Sequence, residues 1–259
     1  MAGAFFYRDG DWIIGNDGAL GPWSEDSCHA GPVTAIIAGA AEALVPDRQL
    51  VRLTVNYVRP VPMRGFRIEA VPDGSGGTAA STAVSAFDRD NKLLATARCL
   101  HLKVRDISNP PTSNQAAPVL SEASIGDFPV RQALHDKRFF GTEIEVAYPP
   151  GEDNEPGPTT IWMRTPTIVY GEEPTAFQTA CPLADCANGF ARNAEFVDVT
   201  CVNPDLTVLL HRPPESEWLA SSGVSYWEPT GIGSTTATLY DERGAIGAAL
   251  QSLVIRPVL

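Results

Sequence analysis

The 259-residue chain carries 19 Lys and Arg against 31 Asp and Glu, a formal net charge of −12, with 44% hydrophobic residues. That hydrophobic content supports a sizeable core, and the acidic balance argues against nucleic acid or an anionic membrane surface as the main partner. No run of about 18 apolar residues is present, so no membrane insertion is expected. The opening MAGAFFYRDGDWIIG lacks the basic-then-apolar order of a signal peptide. Five cysteines (Cys28, Cys99, Cys181, Cys186, Cys201) then read as reduced thiols in a cytoplasmic protein.

Short aromatic strands are expected at Ala4 to Tyr7 and Trp12 to Ile14, followed by a Gly/Pro/Ser/Asp loop running to His29. The spacing of Val33, Ile36, Ile37, Ala40, Ala41 and Leu44 predicts a helix over 31–44. Its remaining positions are small and uncharged, so it reads as enclosed on most sides. Strands are predicted over 50–58, 66–71, 78–88 and 93–103, with Leu53, Val55 and Tyr57 alternating with Thr54 and Asn56. Hairpin turns fall at Asp73–Gly77 and at Arg89-Asp90-Asn91. One buried helix wrapped by an antiparallel sheet is an α+β unit and fits a hotdog fold. Residues 104–137, rich in Pro, Ser, Asn and Asp, read as a connection over the surface. Strands resume over 139–148 and 160–163, and a helix is predicted over 175–188 with a kink at Pro182. Four more strands follow, over 202–210, 218–227, 233–241 and 246–255.

The second set repeats the first. Leu53-Thr54-Val55 leads to Arg59-Pro60, and Leu206-Thr207-Val208 leads to Arg212-Pro213. Phe87-Asp88 precedes Leu94-Ala95, and Tyr240-Asp241 precedes Gly247-Ala248, so positions 53 and 206, 59 and 212, 87 and 240, and 95 and 248 are each 153 apart. A half-length repeat implies two copies of one unit: an N-terminal hotdog over 1–103, a connecting segment over 104–137 and a C-terminal hotdog over 138–259. The helices match better at a spacing of 146, which sets Leu183-Ala184-Asp185 against Ile37-Ala38-Gly39. A site is expected between the halves.

Familiar hydrolase signatures are missing. There is no Gly-x-Ser-x-Gly elbow, the four histidines (His29, His101, His135, His211) form no Ser/His or Cys/His arrangement, and Cys181 and Cys186 lack a second pair for zinc. The Asp73–Gly77 loop has no following Lys-Ser/Thr and is no phosphate cradle. Differences between the copies say more. Asp185 stands on an otherwise apolar helix where the first copy has Gly39; a carboxylate there is costly unless paired or used. Gln251 stands in the last strand where the 153 spacing puts Arg98, and Asn203 leads into the repeated strand where it puts Leu50.

The chain resembles the acyl-CoA thioesterase II family, whose members are double hotdogs. His29-Ala30-Gly31-Pro32 resembles that family's first-helix motif, Asn203-Pro204-Asp205-Leu206-Thr207 through His211-Arg212-Pro213 its second-copy strand motif, and Ala249-Leu250-Gln251-Ser252 its final strand. The resemblance covers both halves but not 104–137. It implies an acyl-CoA hydrolase of fatty acid metabolism that releases free acid and CoA without a metal or other cofactor. Its catalytic groups, an Asp, a Thr or Ser and a Gln, carry over as Asp185 and Gln251, while Asn203 stands at the hydroxyl position and Thr207 lies four residues on. Asp185 would activate a water that Asn203 and Gln251 hold. The helix N-terminus at Ala30 and Gly31 would polarise the thioester carbonyl, and His29 would either contact substrate or cap local structure. The basic run Arg48, Arg52, Arg59, Arg64 and Arg67 could meet coenzyme A phosphates, with a solvated or ion-paired face as the favoured reading. Association into a homodimer or higher homo-oligomer is expected.

Two other readings stay open at this level. One is an acyl-thioester hydratase or dehydratase, which needs a His and an acid; His29 precedes the helix, but no acid partner is legible. The other is a non-catalytic acyl-CoA binding protein, favoured by Asn203 in place of a hydroxyl.

Overall fold

The computed structural model describes residues 3–130 and 135–258. The elements follow the repeat. The first half contributes strands β1 (Ala4–Asp9) and β2 (Trp12–Gly15), helix α1 (Ala30–Leu44), and strands β3 (Gln49–Tyr57), β4 (Arg67–Ser75), β5 (Ala79–Phe87) and β6 (Leu93–Leu102). Then come β7 (Ser124–Gly126), a helical turn α2 (Phe140–Glu143), β8 (Glu145–Tyr148), β9 (Thr159–Arg164) and β10 (Thr167–Val169). Helices α3 (Ala176–Asp185) and α4 (Ala187–Phe190) precede β11 (Val199–Val202), β12 (Asp205–Leu210), β13 (Leu219–Trp227), β14 (Ile232–Asp241) and β15 (Gly244–Pro257).

One antiparallel sheet runs β4-β5-β6-β3-β12-β15-β14-β13-β9-β8-β7, with β11 also pairing β15. Alternation puts Leu53, Val55, Leu206 and Val208 on its buried face, where α1 packs on β3–β6 and α3 on β12, β13 and β15. Each such side chain removed from water contributes roughly 1.5–3 kcal/mol. The two helices also pack on each other. This is a double hotdog.

The units join at β3 and β12, where Thr54 is the register partner of Thr207, flanked by Leu53↔Val208 and Val55↔Leu206. Thr54 and Thr207 are also the repeat counterparts 153 residues apart. A residue faces its own counterpart only on a two-fold axis, so the internal pseudo-two-fold passes between these two threonines. Their hydroxyls meet at 3.0 Å.

The register also corrects the alignment of the last strand. Thr54 pairs Arg98 on β6, whereas Thr207 pairs Leu250 on β15, so the counterpart of Gln251 is the buried Cys99 and not Arg98. The reason is loop length. Five residues separate Phe87 from its partner Leu93, and four separate Tyr240 from Ala245.

Other expectations shift for local reasons. The segment 139–148 opens as α2 rather than as strand, because Thr142 Oγ1 accepts the Phe139 amide at 3.1 Å and closes a turn. Strand β4 continues through a bulge to Ser75, which moves the hairpin turn to 76–78. The expected strand 202–210 breaks at Asn203-Pro204 into β11 and β12, since Pro204 has no amide proton to give the ladder. Pro182 sits inside α3 and the helix breaks after Asp185, at Cys186. The segment 104–137 contains β7, paired with β8; its residues 131–134 lie outside the described part. Strand β1 crosses to the other half and pairs β10 in parallel.

Candidate active site

The two helices bring the site together. His29 caps α1 and Thr175 caps α3, the same 146-residue spacing that aligns the helix sequences. The start of α1 lies against the end of α3 so closely that a Cβ on Gly31 would sit 2.8 Å from Pro182 Cα and 3.1 Å from Asp185 Cβ. Glycine is required for that approach. The last residue of α3 is Asp185, which is thereby delivered to the N-terminus of α1.

Asp185 is 4% exposed. Asn203, in the break between β11 and β12, donates from Nδ2 to Asp185 Oδ1 at 2.8 Å and to the Asp205 carbonyl at 3.1 Å. His29 Nδ1 lies 3.3 Å from Asp185 Oδ2 and accepts the Gly31 amide at 3.2 Å. Burial raises the Asp185 carboxyl to about 6, although the Asn203 amide and the Gly31 N–H oppose the rise. Burial likewise pulls the His29 imidazole down to about 3, so the ring is neutral at physiological pH. The Tyr57 phenol, 2.6 Å from Thr34 Oγ1, is pushed up by burial and by the nearby Asp185 charge.

Gln251 lies beneath this group, 3% exposed. Its Nε2 donates to the Asp185 carbonyl at 2.9 Å and its Oε1 accepts the Asn188 amide at 3.1 Å. It therefore staples the break between α3 and α4, and it does not line the cavity. Thr207 is not brought to the site. It points to the opposite face of β12, onto Thr54. Gly31 serves packing and the helix cap, whereas Ala30 lines the cavity with its first-turn amide.

The cavity measures about 640 Å³. One end is polar, formed by Asp185, Asn203, His29 and Asn188; the walls are apolar, with Trp23, Phe128, Val61 and Phe196. A half-open, largely apolar cavity with a few convergent polar groups suits an apolar substrate segment carrying one reactive group. Of the basic run Arg48–Arg67 only Arg59 reaches this cavity, joined by Arg256. Sequence reasoning missed Tyr57, Asn188 and Arg256. Tyr57 reads as one more strand position, and the other two become functional only through the α4 break and the length of β15. The sequence also left His29 without an acid partner; the fold supplies Asp185.

Among the described residues no helix is long and apolar enough to cross a membrane. No curated protein matches the sequence. Among solved structures the chain is similar to a candidate thioesterase II from Thermobifida fusca YX (14% identity, 98% of this chain and 96% of that one covered, TM-score 0.74). It is similar also to a candidate thioesterase from Novosphingobium aromaticivorans DSM 12444 (20%, 96% and 98%, 0.74) and to a hot dog fold protein from Alicyclobacillus acidocaldarius (17%, 98% and 96%, 0.72). The acyl-CoA thioesterase N-terminal domain model matches residues 19–102 and the acyl-CoA thioesterase C-terminal domain model matches 116–255. With both halves matched, the chain belongs to the acyl-CoA thioesterase family of double-hotdog thioester hydrolases.

Proposed function

We propose that the protein hydrolyses acyl-CoA thioesters to free acid and CoA, with Asp185 as general base. The observation that carries this reading is the buried Asp185 carboxyl, raised to about 6 at the polar end of the cavity. A base of that strength is ionised at neutral pH yet basic enough to take a proton from water as attack proceeds. Asn203 anchors Oδ1 of the base, and its own Oδ1, without a protein partner among the described residues, accepts the second water proton. Gln251, committed to the Asp185 carbonyl and the Asn188 amide, acts here by fixing the end of α3 and not as the expected water ligand. The Ala30 amide and the positive end of the 15-residue α1 stabilise the oxyanion. The apolar walls take the acyl chain, and Arg59 and Arg256 face the CoA side.

Thiol release from butyryl-, octanoyl- and palmitoyl-CoA, wild type beside Asp185→Ala, tests this. A loss of about a hundredfold or more is expected for a missing general base. Tight acyl-CoA binding without thiol release by the wild type would favour the binding-protein reading. The 3.3 Å contact of His29 with Asp185 favours a second reading, hydration or dehydration of an acyl thioester. Enoyl-CoA formed from 3-hydroxyacyl-CoA, with no free thiol, would select it.

A further inference from the structure

The cavity has a direction. Phe128 and Val130 border one side and are buried, whereas Val58, Arg59, Val202, Val254 and Arg256 border the other and are exposed. An acyl chain belongs against the buried wall, so the group carried on the thioester sulfur leaves past the exposed rim. Both copies build that rim. Val58 and Arg59 follow β3, Val202 ends β11, and Val254 and Arg256 lie on β15.

Both arginines are uncommitted, for reasons that lie in the duplication. The counterpart of Arg59 is Arg212, which gives both terminal nitrogens to Asp241. Asp88 holds the place of Asp241 in the first copy, but its longer turn already supplies the Asp90 and Lys92 amides. Arg59 keeps one bond, from Nη1 to the Leu93 carbonyl at 2.6 Å, and its Nε and Nη2 are unpaired among the described residues. Arg256 is placed by strand length. Strand β15 has 14 residues against 10 in β6, which carries Arg256 past the point where β6 has ended. Its backbone pairs Thr200, and no described residue hydrogen-bonds or ion-pairs its side chain. Free guanidinium groups are conspicuous in a chain of net charge −12. Among the described residues lining the cavity the only acid is Asp185, at the polar end.

We propose that this rim is a subsite for the nucleotide end of coenzyme A, with Arg59 and Arg256 on its phosphates and the exposed valines against the adenine. This rests on the acyl-CoA reading above. A guanidinium presents paired N–H donors whose spacing matches phosphate oxygens, and it stays charged at any working pH. The valines offer an apolar surface to the face of the base, which water hydrates poorly. A pantetheine thioester carries neither phosphates nor adenine. A carrier protein keeps a single phosphodiester and puts a folded domain in place of the nucleotide. The rim therefore selects CoA thioesters over both, and it does so from residues that differ between the two copies.

The test uses S-octyl-CoA, a thioether that cannot be hydrolysed, so a failure of hydrolysis does not touch the result. Calorimetry gives its Kd beside that of S-octyl-pantetheine, and the preference for the CoA form reports the nucleotide end alone. Arg59→Gln and Arg256→Gln are each expected to lower that preference about tenfold, the scale of one charge-assisted contact to phosphate. Arg52→Gln removes the same charge from β3 outside the cavity and is expected to leave the preference in place. A preference unmoved by both cavity variants, or moved as far by Arg52→Gln, would overturn the subsite; thiol release from octanoyl-CoA by the wild type would then leave hydrolysis standing. Tighter binding of an S-octyl carrier protein than of S-octyl-CoA would also overturn it, by making the rim a protein-docking surface. No binding of S-octyl-CoA by the wild type would remove the acyl-CoA reading along with the subsite.

Discussion

At the residue scale the site is a set of groups whose resting interactions are incomplete. Asp185 is costly to keep ionised, and the cost has a definite sign. Its folded value of about 6 lies above the ordinary 3.8, so the folded state holds the proton more tightly than the unfolded chain. The contribution of this group to stability is fully present below 3.8, declines as pH rises to about 6, and stays lost above. Asp185→Asn removes that loss and keeps an oxygen for the Asn203 amide. At pH 8 the variant is expected to be more stable by about 1–3 kcal/mol in denaturant melts while losing about a hundredfold in activity. A destabilised variant would show that the charge is stabilised more fully than its surroundings indicate. The same value sets the pH profile: kcat/KM should rise through about pH 6 and level off above, because the base works ionised. Titratable groups packed around it are His29, neutral there, and Tyr57, Cys181 and Cys186, whose proton losses burial moves upward.

At the scale of elements, the two copies solve the same local problem differently. The repeated Arg-Pro marks the strand end beside the hairpin in each. In the second copy Arg212 grips the buried Asp241 with both terminal nitrogens, at 2.6 and 2.5 Å. In the first, Asp88 instead accepts the Asp90 and Lys92 amides of its own longer turn, and Arg59 donates to the Leu93 carbonyl. Arg212→Ala leaves a carboxylate that is 1% exposed with only the Glu215 and Arg243 amides and should cost about 2–4 kcal/mol in chemical denaturation. Arg59→Ala should cost clearly less. The helix contact gives a similar contrast. Gly31→Ala drives a methyl against the Pro182 backbone and is expected to destabilise by about 1–3 kcal/mol. Gly39→Ala meets the far end of the Gln178 side chain, which can yield only by giving up its hydrogen bonds with the Ala35 carbonyl and the Thr175 amide, and should cost about 1–2 kcal/mol. Both residues look alike in the sequence, since nothing local tells a backbone neighbour from a flexible one.

For the whole molecule, we propose that the chain divides at 1–103 and 138–259, with 104–137 between. Residues 103–116 are exposed and carry Arg105. Brief trypsin treatment of the native protein is expected to cut first after Lys103 or Arg105, both in this segment, and the two fragments should elute together, held by the β3–β12 ladder and the packing of α1 on α3. Separation of the fragments would show that the central pairing is weaker than its register suggests. Association of whole chains is also proposed. Leu209, Leu250 and Ile232 are exposed on strands of the second unit; light scattering giving a monomer at micromolar concentration would refute it. Amino-acid order alone determined the duplication and the approximate helix positions, because a constant offset and hydrophobic periodicity are local properties of the chain; the two-fold axis between Thr54 and Thr207 came from the strand register. The order also singled out Asp185, since a carboxylate on an apolar helix is conspicuous anywhere. Only the tertiary structure decided what meets it. A hairpin one residue shorter moved Gln251 from the outward face of Arg98 to the buried face of Cys99, since a slip of one residue turns a strand side chain over. The approach of two helices through Gly31 set His29 against a carboxylate 156 residues away, a distance along the chain that no local pattern spans.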